Sequence, residues 1–292
     1  MARSLNLACL QTRPRADFSS ALSEALTLAD AAVSAGAQML LLPEYCGGLR
    51  TEGRFLAPPA EPEADHPVLQ ELKVFARARK VWIMVGSVAV SDAAGKFLNR
   101  SLMIDDTGTI KSRYDKIHLF DVQLSETEAY RESERISPGN EAVLTETPYG
   151  MIGHTICYDL RFPTLFRDLA RAGAEIIVVP AAFTKRTGEA HWHVLNRARA
   201  IENGVFIVAP CAIGPVEGGG ESYGHSLVVD PWGEVVADGG DIPGVVHATI
   251  DLDQVAATRG RIPSLSHDRS YRPAASPGGT EEVTDEPLKK RR

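Results

Sequence analysis

The sequence predicts an α/β fold of stacked layers, on three observations. Apolar, strand-like runs alternate with amphipathic helical runs along most of the chain. The strand-like runs fall into two groups, each with its own helices, which favours two sheets over one very wide one. A chain of 292 residues that is 44% hydrophobic also has ample apolar material for a large core.

The elements follow in order. Residues 5–11 read as a buried strand, and residues 18–35 as a helix with Leu22, Ala25, Leu26, Ala29 and Val33 on one face. A strand at 38–42, a helix at 67–80 and a strand at 81–90 come next. Residues 97–105 and 109–113 flank Asp106-Thr107-Gly108, a hairpin signal. The second group begins with a strand at 151–156. A helix over 160–172 follows, in which Phe162, Leu165, Phe166 and Leu169 recur at helical spacing. Strand 175–179, helix 189–203 and strand 205–210 repeat the unit. Residues 226–230 and 234–237 flank Pro231-Trp232-Gly233 as a second hairpin, and 245–250 is the last strand.

No proline-rich linker and no repeat of fixed period divides the chain, so one domain over residues 1–272 is expected. Residues 273–292 lack apolar periodicity and read as a flexible tail, whose final Lys-Lys-Arg-Arg is expected to be solvated. The balance of 31 Lys and Arg against 38 Asp and Glu gives a net charge of −7, which disfavours nucleic acid and anionic membranes as partners. The longest apolar runs are broken by proline and fall short of the ~18 residues of a membrane-spanning helix. Four cysteines are too few for a disulfide scaffold. With no secretory pattern in the first residues, a cytoplasmic location with reduced thiols is expected.

Three residues with complementary chemistry stand where strands end and loops begin. Glu44 follows an apolar run in Leu-Leu-Leu-Pro-Glu-Tyr, where partial desolvation would make it a better base; a surface loop acid would look the same. Lys116 lies in Tyr-Asp-Lys-Ile-His-Leu-Phe. It reads either as a donor to developing negative charge or as a lysine snorkelling at a rim. Cys157 stands at a strand-to-helix junction, in Thr-Ile-Cys-Tyr-Asp-Leu-Arg-Phe-Pro. Such a junction lifts a sulfur out of the sheet and brings backbone N–H groups beside it. A buried, inert thiol is the alternative.

Taken together, these three motifs, separated by 72 and 41 residues, resemble the Glu–Lys–Cys signature of the nitrilase superfamily of carbon–nitrogen hydrolases. The resemblance covers roughly residues 5–271. It extends through Glu132-Ser133 ahead of Ser137-Pro138-Gly139, Gly188-Glu189-Ala190-His191-Trp192, residues 197–203, and Tyr223-Gly224-His225-Ser226 ahead of Asp230-Pro231-Trp232-Gly233. These later pieces are most similar to the amidase branch containing deaminated glutathione amidase and omega-amidase.

The resemblance implies a four-layer α-β-β-α sandwich, amide hydrolysis through a cysteine thioester, no metal or organic cofactor, and a homodimer or higher homo-oligomer. It makes Cys157 the nucleophile, Glu44 the base, and Lys116 with the Tyr158 backbone N–H the oxyanion donors. Glu132 becomes a second glutamate that orients Lys116 and the substrate. The expected substrate is a small carboxylated amide, with carbamoyl or nitrile hydrolysis as the rival chemistry and an inactive binding module as the rival class.

Arg161, one helical turn beyond Cys157, is expected either to reach a substrate carboxylate or to pair with Asp159. Phe183 and Thr184 are expected to line the pocket, with Tyr45 and Tyr158 as further walls. His191 and His193 stand two apart, pointing away from one another on a helix, and no acid pattern completes a zinc site with His225. A Cys–His pair through His118 or His154 is the rival nucleophile, disfavoured for His154 by its place within the strand before Cys157. Cys9 and Cys211 read as core, and Cys46 as a bystander. Residues 214–222, with three consecutive glycines, read as a flexible loop or a flap; no Gly-Lys-Ser/Thr follows, so they are not a phosphate loop.

Overall fold

The structure, a computed structural model, describes residues 3–91, 95–126, 128–272 and 274. The tail expected at 273–292 therefore lies almost wholly outside the described residues. In chain order the elements that position the site are β1 (Ser4–Gln11), α1 (Phe18–Ser34), β2 (Met39–Leu41), α2 (Pro67–Arg79), β3 (Trp82–Ser91), β4 (Phe97–Ile104) and β5 (Ile110–Asp115). They continue with β6 (Leu144–Thr147), β7 (Gly150–His154), α3 (Pro163–Arg171), β8 (Ile176–Val178), α4 (His193–Asn203) and β9 (Phe206–Ala209). The last three are β10 (Leu227–Val229), β11 (Val235–Asp238) and β12 (Gly244–Asp251).

Two sheets result. The first runs β12-β1-β2-β3-β4-β5, with the short strand Ala60–Glu61 also paired to β3; the second runs β6-β7-β8-β9-β10-β11. Their centres, β1-β2-β3 and β7-β8-β9, are parallel, and the flanking pairs are antiparallel. Alternate residues of each strand point to opposite faces, so each sheet needs two apolar partners. Leu7, Cys9, Met39, Leu41 and Met84 of the first sheet meet Ile152, Ile176, Val178, Phe206 and Val208 of the second in one core between the sheets. The outer face of the first sheet is covered by α1 and α2, and that of the second by α3 and α4. The α-β-β-α sandwich is thus the observed architecture.

Helix α1 shows how tightly the layers approach. Asp17 caps it, its carboxylate accepting the Ser20 N–H at 2.9 Å. Its buried stripe is Ala21, Ala25, Ala29 and Ala32, which includes Ala25 and Ala29 of the expected face; Leu22, Leu26 and Val33 of that face pack half-buried at its margins. Between the sheets, His154 is fully buried and bonds Thr145 of β6 at 2.7 Å and Ser112 of β5 at 3.1 Å. Burial pushes this imidazole down to about 3, which makes it a neutral hydrogen-bonding strut across the two sheets.

One expected boundary moves. The helix predicted from residue 160 begins at Pro163, because Phe162 precedes proline and is held outside helical space at φ −112° and ψ 88°. Cys157–Arg161 forms a separate 3-10 turn. The regular helix therefore does not start beside the sulfur, and only the N–H groups of this short turn do.

Candidate active site

Both sheets contribute to one buried constellation. Glu44 follows β2 on a segment that crosses β3 at Gly86, where a Cβ would lie 2.0 Å from the Leu42 carbonyl oxygen; only glycine permits that approach. Lys116 is the residue after β5, and Glu132 opens a 3-10 turn at Glu132–Glu134. Cys157 comes from the second sheet, just past β7.

Lys116 sits between the two carboxylates. Its Nζ donates to Glu44 Oε1 at 2.9 Å and to Glu132 Oε1 and Oε2 at 3.1 and 2.9 Å. Lys116 and Glu132 are each 1% exposed and Glu44 4%, so the attraction acts with little solvent screening. Burial alone would lower the Lys116 pKa, but Glu132 and Glu44 outweigh it and hold the ammonium well above its ordinary value. Three further donors hold Glu132: the Tyr45 hydroxyl at 3.0 Å, Asn99 Nδ2 at 3.3 Å and the Phe120 N–H at 2.6 Å. Glu44 accepts from Asn99 Nδ2 and the Ala182 N–H, both at 2.9 Å. The rotamers of both acids are thereby locked.

Cys157 has a left-handed backbone, φ +46°, and its N–H donates to the Pro180 carbonyl at 2.9 Å. A residue with a Cβ pays for that conformation, of order 1–3 kcal/mol. Asp159 holds the turn, accepting the Ile156 N–H at 2.8 Å, the Tyr114 hydroxyl at 2.6 Å and the His118 N–H at 3.1 Å. Burial pushes the Cys157 thiol well above its usual pKa. The Glu44 charge adds to this, and Lys116 opposes it. Burial and the Glu44 charge thus favour the thiol over the thiolate, and the Glu44 carboxylate stands beside it.

Glu44, Lys116 and Cys157 line one cavity together with Tyr45, Phe120, Tyr130, Tyr158, Phe183, Thr184 and Thr187. The structure thus brings together Glu44, Lys116, Cys157, Tyr158, Phe183 and Thr184, with Glu132 directly behind Lys116. Arg161 is different. It is not among the lining residues, and its guanidinium carbon lies 5.4 Å from the Phe183 ring centroid and 5.9 Å from that of Tyr158. Its Nη2 donates to His191 Nδ1 at 3.2 Å, so it braces two lining rings from outside, and the expected pairing with Asp159 is replaced by that contact. Neither rival histidine lines the cavity. His118 is bonded to Asp159 and stacked on Phe162, and His154 lies between the sheets.

Sequence reasoning missed several contributors. Asn99 bridges both acids, and among the polar run Asn99-Arg100-Ser101 of β4 nothing in the sequence singles it out. Thr51 and Leu56 line the cavity from short strands with no periodicity to announce them. The glycine-rich stretch is not an unstructured loop. Ile213–Pro215 pairs with Glu221–Tyr223, and Val216, Gly219, Gly220, Glu221 and Ser222 line the cavity. Its tip is pinned, since Thr51 N–H donates to the Glu217 carbonyl at 2.8 Å and Thr51 Oγ1 to that of Gly219 at 3.0 Å. His193 and His225 also depart from expectation, because the fold brings both to Asp238.

Known proteins share this arrangement of fold and sequence. The carbon-nitrogen hydrolase family model matches residues 6–260. The chain belongs to that family. Within the carbon–nitrogen hydrolases it sits with the amidases. It is 43% identical over 213 residues to the deaminated glutathione amidase of Yersinia enterocolitica, covering 72% of this chain and 74% of that one. It is 35% identical to the omega-amidase NIT2 of Bos taurus, covering 90% and 95% respectively. Among solved structures, Nit3 of Saccharomyces cerevisiae, a member of branch 10 of the nitrilase superfamily, superposes with a TM-score of 0.79 at 28% identity. That match covers 89% of this chain and 94% of that one.

Proposed function

We propose that this carbon–nitrogen hydrolase is an amidase that releases ammonia from a small linear amide carrying a carboxylate. Deaminated glutathione and the monoamides of 2-oxo dicarboxylates are the candidate substrates, on the likeness to relatives named for such activities. One observation carries the chemistry: a buried thiol beside a buried carboxylate that is itself bonded to a buried ammonium.

In the proposed cycle Glu44 takes the Cys157 proton as sulfur attacks the amide carbon. The Lys116 charge and the Tyr158 backbone N–H stabilise the oxyanion, each such donor being worth about 3–4 kcal/mol in hydrolases. The C–N bond breaks as Glu44 returns the proton to the leaving nitrogen, giving ammonia and a thioester. Glu44 then takes a proton from water as that water attacks the thioester. The acid departs and the thiol is restored. Glu132 acts by holding Lys116 in place.

Ammonia release measured over amides, carbamoyl compounds and nitriles tests this reading. Carboxylated amides should be turned over with the highest kcat/KM. Release of carbon dioxide with ammonia, or a preference for nitriles, would overturn it in favour of the rival chemistries. The same panel run on Arg161→Ala should show similar losses for neutral and carboxylated amides, since Arg161 supports the cavity rings; a rise in KM confined to carboxylated amides would instead give it a direct role.

We further propose a cytoplasmic homodimer. Four free cysteines support a reducing compartment. Ile201 and Ile262 are exposed along one groove, and the Asp230–Glu234 turn that carries exposed Trp232 rests on Ile201. Exposed apolar side chains beside a groove otherwise lined mainly by polar and charged residues suit a second copy of the chain. Sedimentation velocity should find a dimer that Ile201→Glu dissociates; a monomeric wild type would refute the proposal.

A further inference from the structure

The fold assembles a donor set outside the catalytic centre that sequence spacing did not reveal. His193 is the first residue of α4, His225 lies in the connection leading to β10, and Asp238 ends β11. His193 Nε2 lies 3.0 Å from Asp238 Oδ2, and His225 Nδ1 lies 2.9 Å from Asp238 Oδ1. We propose that His193, His225 and Asp238 form a binding site for a divalent cation of the zinc class.

The donor chemistry suits that ion. Two imidazoles and one carboxylate are borderline ligands that favour zinc and its neighbours over calcium or magnesium, which prefer oxygen. The three donor atoms all lie within 4.8 Å of one another. Tetrahedral zinc with bonds of about 2.0–2.1 Å needs ligand atoms roughly 3.3 Å apart, so small side-chain rotations close the site. Because the three residues are partly exposed, water can complete the coordination.

The ligands are also held in place, which separates this cluster from a chance meeting of surface side chains. The His225 N–H donates to the Gly240 carbonyl at 2.8 Å, and its own carbonyl accepts from Trp192 Nε1 at 2.7 Å. The His225 ring stacks on Tyr223 with centroids 4.5 Å apart. Asp238 Oδ1 accepts the Gly240 N–H at 2.9 Å, an outer contact that fixes the carboxylate. A bound ion would tie together the start of α4 and the ends of two strands. It would do so next to the cavity, since Trp192 packs on Phe183 with ring centroids 4.9 Å apart and Tyr223 follows Ser222.

The full-length Cys157→Ala protein, which lacks the competing catalytic thiol, provides the test. After chelator treatment it is titrated with zinc chloride by isothermal titration calorimetry. We expect one equivalent to bind. His193→Gln and Asp238→Asn should each weaken binding by about tenfold or more, whereas His191→Ala, whose ring faces Arg161, should leave it unchanged. Cobalt(II) in place of zinc should give tetrahedral visible absorption bands that the same two variants lose. Absence of zinc binding would show a hydrogen-bonded cluster only and overturn the proposal. So would affinity that neither variant changes.

Discussion

Replacing Cys157 by alanine should abolish ammonia release from every amide while leaving the fold intact. Truncating a nucleophile that works as a unit with its base costs about 10⁴-fold or more, because the oxyanion donors alone recover little of the rate. The structural cost should be small. The variant removes one sulfur from a residue that is 8% exposed and keeps the backbone contact to Pro180. A wild-type thermal midpoint together with ammonia production at background confirms the assignment, and substantial residual turnover would remove Cys157 from the chemistry. A companion measurement examines the protonation state. Because burial and Glu44 push the thiol up, the ultraviolet difference spectrum between wild type and Cys157→Ala at neutral pH should show no thiolate absorbance. A thiolate band there would mean that Lys116 outweighs the carboxylates.

Lys116→Met should damage stability and activity together. The side chain keeps its length, but the cation between Glu44 and Glu132 is gone, leaving two buried carboxylates that share Asn99 as a donor. Breaking a buried ion pair by removing one partner costs about 3–5 kcal/mol, and losing an oxyanion donor costs roughly 10²–10³ in rate. The stability loss has a definite pH sign. With the cation absent, the folded state gains from taking up a proton that the unfolded chain does not need at the same pH. Folding is then favoured as pH falls. The deficit against wild type should shrink between pH 8 and pH 5 in chemical denaturation. A deficit independent of pH would show that the two acids do not confront one another once the lysine is removed.

Much of the architecture was legible because it is written in period. β1 and β3 announce themselves as apolar runs, and α3 as a stripe of Leu165, Phe166 and Leu169, since burial imposes those spacings. Boundaries were harder. The pre-proline Phe162 shortened α3, and the most buried stripe of α1 takes in Ala21 and Ala32 while Leu22 and Leu26 lie at its margin. Glu44, Lys116 and Cys157, which the fold gathers at one cavity, were legible as motifs at strand ends. Their supports were not, since Asn99, Thr51 and the Ala182 N–H meet Glu44 and the cavity only after distant segments fold together. The glycine-rich 214–222 stretch failed for a related reason. Its flanks pair with one another as a short hairpin, and its tip is held by Thr51, more than 160 residues away, a contact no local pattern shows. Asp238 likewise escaped the reading of the histidines, because no sequence spacing connects it to His193.

Glu44 and Lys116 are carried by one sheet and Cys157 by the other, and the Ala182 N–H reaches back across to Glu44 at 2.9 Å. Neither half of the sandwich holds a complete reaction centre, so a fragment library cut between β5 and β6 should yield activity only from recombined pairs. The apolar core between the sheets joins the halves that carry these groups, so repacking it is expected to alter the reaction from a distance.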